Sequence, residues 1–260
     1  MKIATWNVNS VKARLDTVTG WLKEASPDVA VFQEIKCQDE AFPRQAFEDL
    51  GYNCAVHGQK TYNGVAILAK RPIEDVTLRL DGADGDDHAR YMEAVVTGEK
   101  GVARVASIYA PNGNPVGTDK FKYKLDWLKR LRARAERLLL DEEAFALMGD
   151  FNVIPTADDC HDPKAWMDDA LFQPESRAAL RRFEFLGLTD AFRACHAETH
   201  QYTFWDYQAG AWQKDHGIRI DHIFLSPQAA DRLKACGIDK HVRGWEKPSD
   251  HAPVWCLLDI

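Results

Sequence analysis

Gly149-Asp150-Phe151-Asn152 sets an acid and an amide two positions apart at the end of an apolar run, residues 145–148. On extended backbone, side chains two apart share a face, so the carboxylate and the carboxamide enter the same space. Pro155 then forbids further ladder pairing. Such a pair can hold a water molecule and draw a proton from it. The same tetrapeptide is also ordinary turn chemistry, because Asp and Asn both bond their own backbone. Its meaning therefore depends on what else in the chain behaves like it.

Four other segments do. Asn7 follows Trp6, Glu34 follows Phe32-Gln33, Asp221 interrupts the apolar stretch 220–225, and Asp250-His251 precede a final strand-like run. A buried carboxylate is costly unless it is paired, and several of them at apolar strand ends call for a shared partner. A divalent cation meets that need. Carboxylate and amide oxygens without thiolates favour Mg²⁺ or Mn²⁺ over zinc, and magnesium usually works on a phosphate.

The elements that must position these residues follow from periodicity. Residues 3–8 alternate as a strand, and 11–25 carry Val11, Leu15, Val18, Trp21 and Leu22 at helical spacing. The run 29–32 is apolar throughout, as in a strand buried on both faces. A second amphipathic stretch covers 39–50, and strands are expected at 64–69, Tyr91–Thr97 and Val102–Tyr109. The longest helix spans 119–141, with a basic outer face. Residues 156–166, which include Asp158, Asp159, His161 and Asp162, read as a solvated loop rather than a metal cluster, and 176–186 as a helix. No linker or charge block divides the chain. The expectation is one domain, 1–260, with two sheets packed face to face and helices outside.

The totals restrict the alternatives. The 260 residues are 45% hydrophobic and 28% charged, typical of a globular domain. No apolar run approaches the roughly 18 residues a membrane helix needs. Met1 to Asn7 enter strand-like sequence directly, with no basic-then-apolar leader, so a cytoplasmic location is expected. Six cysteines lie far apart without a C-x-x-C pair, which predicts free thiols. A net charge of −7 argues against coating nucleic acid through the overall field, but not against a local basic groove.

Taken in order, Trp6-Asn7-Val8-Asn9, Phe32-Gln33-Glu34-Ile35-Lys36, Tyr109-Ala110-Pro111-Asn112-Gly113, Gly149-Asp150-Phe151-Asn152, Arg219-Ile220-Asp221 and Ser249-Asp250-His251-Ala252-Pro253-Val254 resemble the motifs of the endonuclease/exonuclease/phosphatase superfamily, most nearly its apurinic/apyrimidinic endonuclease branch. The resemblance implies a DNase I-like, four-layer α/β sandwich with two central mixed sheets. It implies Mg²⁺-dependent phosphodiester hydrolysis, with Mn²⁺ able to substitute, by a monomer acting on double-stranded DNA at abasic sites or 3′ ends. The activities are cleavage 5′ to an abasic site, removal of 3′ blocking groups and 3′-to-5′ exonuclease action. By position, Asn7, Glu34, Asp150, Asn152, Asp250 and His251 would surround the metal. Tyr109, Asp150, Asn152, Asp221 and His251 would carry the reaction. Either Asp150 or His251 could serve as the base.

For an acidic chain, phosphate contacts must be local. Lys12, Arg14, Lys36, Arg90, Lys120, Lys122, Lys124, Arg219 and Lys247 neighbour the motifs in sequence, and Lys36, Arg90 and Arg219 are the candidates carried forward. In the family, an aromatic pair placed as Phe204-Trp205 lines the pocket for an extruded abasic sugar. The alternative is a core aromatic cluster. A phosphoinositide, sphingolipid or RNA substrate on the same fold, or a catalytically silent DNA-binding protein, are the competing functions.

Overall fold

The computed structural model describes residues 1–82 and 85–260. In chain order the elements are β1 (Lys2–Asn7), α1 (Leu15–Ala25), β2 (Val29–Gln33), α2 (Arg44–Glu48), β3 (Asn53–His57), β4 (Val65–Ala69), β5 (Ile73–Thr77), β6 (Tyr91–Thr97), β7 (Val102–Tyr109), α3 (Asp119–Leu140), β8 (Phe145–Asp150), α4 (Pro174–Phe185), β9 (Thr189–Asp190), α5 (Ala191–Cys195), β10 (Asp221–Leu225), α6 (Pro227–Ala230), β11 (Leu233–Ile238) and β12 (Val254–Leu258).

The strands form two six-stranded mixed sheets, ordered β11-β12-β1-β2-β4-β3 and β5-β6-β7-β8-β10-β9. Each sheet has one parallel pair, β1 with β2 and β7 with β8, and a helix (α1 or α3) makes the crossover that parallel pairing requires. Alternation along the strands sorts the side chains between layers. Ile3, Val29, Val31 and Ile67 face Met92, Val105, Met148 and Ile223 across the sandwich, while Ala4, Trp6, Ala30 and Phe32 turn outward onto Trp21 and Phe47. On the far side, Ile108, Phe145 and Leu147 pack under Trp127, Leu131 and Phe183 of α3 and α4. The result is helix, sheet, sheet, helix.

Toward one end of the sandwich the apolar filling gives way to polar groups. Gln33 Nε2 donates to Thr5 Oγ1 (3.1 Å) and to Ser107 Oγ (3.0 Å), and Ser107 Oγ donates to the Phe32 carbonyl (3.0 Å). These bonds tie the two sheets together next to the carboxyl ends of both parallel pairs, where α/β sheets place their ligands. Asn7 ends β1. Tyr109 and Asp150 end β7 and β8 in register with each other, and Asp221 at the start of β10 pairs with Asp150.

Several local expectations shift. The first helix starts at Leu15 rather than Val11, because Asn9 (φ 43°) and Ser10 (φ 81°) are left-handed and their segment bonds to the turn after β2. Pro43 splits the expected 39–50 helix into a single turn, Asp39–Ala41, and α2. Asp159 is not solvated: it is 1% exposed and paired with Arg193 and Arg219. All six cysteines are free.

Gly149 fits β8 against β7 as no other residue could. A Cβ there would stand 1.9 Å from the Ile108 carbonyl oxygen. Gly149→Ala should therefore cost about 3 kcal/mol through overpacking, seen as a Tm drop of roughly 6–12 °C in calorimetry. A Tm within roughly 2 °C of the parent would contradict this close approach.

Candidate active site

Two carboxylates and an imidazole meet where the sheets' site ends face each other. Ligand atoms of Glu34, Asp150 and His251 all lie within 4.8 Å of one another. Each arrives by a different route. Asp150 is the last residue of β8. Glu34 turns out of β2 with a left-handed backbone (φ 50°). His251 is anchored just before β12, its carbonyl accepting the Trp6 indole N–H at 2.9 Å and its backbone N–H donating to Ser249 Oγ at 3.2 Å.

Asn7 bridges the acids. Its Nδ2 donates to Glu34 Oε1 (2.8 Å) and to Asp150 Oδ2 (2.9 Å), while its Oδ1 accepts the Asn9 backbone N–H (3.1 Å). Because that backbone group can only donate, the amide orientation is fixed. In this arrangement Asn7, expected beside the metal, presents N–H rather than oxygen to the two carboxylates. Asn152 (φ 50°) gives its backbone N–H to Asp150 Oδ1 (2.9 Å) and its Nδ2 to the Ala110 carbonyl (2.9 Å). Asp250 sits to one side, outside the three-residue group, where its Oδ1 accepts from Asn9 Nδ2 at 3.1 Å.

His251 Nδ1 lies 2.8 Å from Asp221 Oδ2, and its Nε2 faces Asp150 Oδ2 at 3.8 Å. Burial alone would lower the imidazole pKa. Asp221, bonded to the ring, with Asp150 and Asp250, outweighs burial and holds it at about 10. The ring is thus an imidazolium at neutral pH, a donor on both nitrogens, and offers a nearby anion a proton rather than a metal a lone pair. Asp150 moves the other way from an ordinary acid. Burial, then Asp221 and Glu34, raise its pKa to about 7 against the pull of His251 and the Asn7 amide. At Glu34, burial is outweighed by Lys36, Asn7 and His251, and the pKa falls below the usual value.

The donor chemistry fits a divalent cation. Lys36 and His251 are the positive groups in contact with this set of acids, Asp150 is pushed toward protonation, and Asp221 Oδ1 is buried without a hydrogen-bond partner. Glu34 and Asp150 are the residues placed to hold a cation, with Asp250 beside them.

The remaining expected residues divide sharply. Tyr109 is half-buried at the rim. Burial, Glu34 and Asp150 raise its phenol well above the ordinary value, so it keeps its proton. The Arg90 guanidinium lies 4.8 Å over its ring. Lys36 Nζ contacts Glu34 Oε2 (2.8 Å) and Asn9 Oδ1 (2.6 Å). The edge of the Phe204 ring meets His251 at 5.0 Å, and Phe204 packs with Ile218, Ile220 and Trp166. Trp205 does not join it: it is fully buried, bonded to Asp215 and packed on Trp212, which makes it core. Arg219 is no DNA contact either, being 1% exposed and paired with Asp159 (2.7 Å) and Asp190 (2.8 Å). Lys124 is also sealed off from DNA.

Sequence reasoning overlooked Thr203, whose hydroxyl oxygen accepts the Ile220 and Asp221 N–H groups at 3.1 Å each and so sets Asp221. It also gave no role to Asn9, although Asn9 stands within the first motif.

A model of the endonuclease/exonuclease/phosphatase family matches residues 4–251. The exodeoxyribonuclease III of Haemophilus influenzae is 33% identical over 263 residues, covering 98% of both chains. The structure of the 3′ phosphatase NExo from Neisseria bound to product DNA hairpin is similar over 100% of each chain, with 38% identity and a TM-score of 0.95. An AP endonuclease from Archaeoglobus fulgidus matches over 100% of each chain with 36% identity and a TM-score of 0.94.

The imidazolium depends on Asp221. Asp221→Asn should lower the His251 pKa, so that any activity needing the charged ring is lost at a lower pH than in the parent. NMR titration of the His251 ring protons checks this, and an unchanged titration midpoint would contradict it.

Proposed function

The chain belongs to the endonuclease/exonuclease/phosphatase family, and on that premise we propose that it is a Mg²⁺-dependent phosphodiester hydrolase of duplex DNA, of the exodeoxyribonuclease III type. Its activities in base excision repair are 3′-to-5′ exonuclease action, incision at abasic sites and cleaning of blocked 3′ ends. The reading takes residues 1–260 as one domain, acting as a cytoplasmic monomer. No helix among the described residues is long and apolar enough to cross a membrane. The observation that carries the proposal is the Asp221–His251–Asp150–Glu34 cluster at the meeting of the two sheets.

The cluster divides the work. The His251 imidazolium, held by Asp221, donates to a non-bridging oxygen of the scissile phosphate. With its Nδ1 bonded to Asp221, His251 is held as the charged donor, and the role of accepting the water proton is assigned to Asp150. A carboxylate held beside the phosphate can act as the general base. Asn152 fixes one Asp150 oxygen through its backbone N–H, leaving the other toward the cluster. As water adds to phosphorus its proton passes to Asp150, the bond to the 3′ oxygen breaks, and Tyr109, still protonated, stands at the rim to protonate that oxygen. Mg²⁺, for which Mn²⁺ can substitute, would be held by Glu34 and Asp150 and supplies positive charge to the phosphate oxygens. Phe204, partly exposed over Ile218 and close to His251, offers the apolar surface against which an extruded abasic sugar rests.

A duplex carrying a tetrahydrofuran lesion tests this. Incision should require added Mg²⁺ and stop with EDTA. Asp150→Asn and His251→Asn should each slow it about a thousandfold with unchanged circular dichroism. Phe204→Ala should reduce incision at the lesion more than digestion of an intact 3′ end. Cleavage that persists in EDTA, or near-parent turnover in either substituted chain, would overturn the assignment.

A further inference from the structure

α3 sends one long side chain under the active site. Lys124 is fully buried in its second turn, and its Nζ donates to the carbonyl oxygens of Asn112 (2.9 Å) and Asn152 (2.5 Å). These carbonyls belong to different loops, one leaving β7 after Tyr109 and the other leaving β8 after Asp150. The two side chains also meet, with Asn112 Nδ2 at 3.5 Å from Asn152 Oδ1.

The surroundings make room for this link. Gly113 (φ +90°) passes so close that a Cβ would lie 2.6 Å from Lys124 Cδ. Above it, Asn114 Nδ2 donates to both Asp169 oxygens (3.0 Å each) and its Oδ1 accepts the Ala170 N–H (2.9 Å), closing the loop from β7 onto the segment before α4. Asn152 has a left-handed backbone, φ 50°, which non-glycine residues hold only when neighbours fix it. Its carbonyl is pinned by Lys124, its side chain by Ala110 O, and its N–H is spent on Asp150.

We propose that Lys124 is a positioning residue for phosphodiester hydrolysis: its side-chain nitrogen donates to the Asn112 and Asn152 carbonyls, clamps them together and thereby holds the Asn152 N–H on Asp150. Burial draws the Lys124 pKa down to about 7, but the nitrogen keeps at least two N–H donors in either protonation state, enough for both carbonyls. An apolar side chain of equal length would fill the space and leave both carbonyls without a donor. The inference rests on the hydrolase reading above.

The test is a double-substitution cycle on incision of the lesion duplex. Lys124→Met should lower kcat about a hundredfold, with KM and duplex affinity in EDTA changed less than about threefold. In an Asp150→Ala background, the same substitution should cost less than about threefold of the residual turnover, because the carboxylate that the Asn152 N–H holds is gone. A merely structural lysine would give the same loss in both backgrounds, and that result overturns the proposal, as does parent-like kcat in Lys124→Met. If Lys124→Met fails to fold, Lys124→Arg is read in the same cycle by the same criteria. A parent chain that does not incise the duplex would instead sink the hydrolase reading.

Discussion

Negative charge withdrawn from water is the constraint on which this structure turns. Glu34 and Asp150 are held with ligand atoms within 4.8 Å, a separation at which two carboxylates repel by on the order of 3–4 kcal/mol at an effective dielectric of about 20. Asp221 is buried behind them. The Asn7 amide, the Lys36 ammonium and the His251 imidazolium offset part of this. They leave Asp150 with a pKa of about 7 and one Asp221 oxygen without a partner. A site left in that state fits a divalent cation.

The fold supplies this arrangement by using one device in both sheets. In each, a parallel strand pair joined by a crossover helix ends at the same face of the sandwich, and an antiparallel neighbour delivers one further group. One sheet contributes Asn7, Glu34 and His251, and the other contributes Tyr109, Asp150 and Asp221. The Thr5–Gln33–Ser107 bonds lock the sheets in register just below. Slippage between them would therefore move Glu34, Asp150 and His251 relative to one another.

Much of this was legible in the sequence because strand ends are local. Apolar runs ending in Asn7, Glu34, Asp150 and Asp221 identify both the elements and the face on which they stop. The central strands β6 and β7 match their expected bounds, while edge strands such as β5 and β11, with mixed polarity and bulged registers, left no comparable pattern. What local sequence could not convey was which polar side chain points where. Arg219 and Trp205 stand beside the motifs yet turn inward, the first to neutralise Asp159 and Asp190 and the second into an aromatic cluster. Asn7 gives its amide N–H to Glu34 and Asp150 and its oxygen to the Asn9 N–H, an orientation that no sequence pattern states. Lys124 reads as a surface cation until α3 is seen to cross beneath the β8 loop. The Arg219 and Lys124 contacts depend on partners distant in the chain.

The central claim is that the Glu34 and Asp150 carboxylates form the seat of a divalent cation. Anomalous scattering from crystals equilibrated with Mn²⁺ addresses it most directly. The account predicts an anomalous peak against the carboxylates of Glu34 and Asp150, absent in crystals of Glu34→Gln. Peaks confined to other surfaces, with no ion beside Glu34 and Asp150, would contradict it.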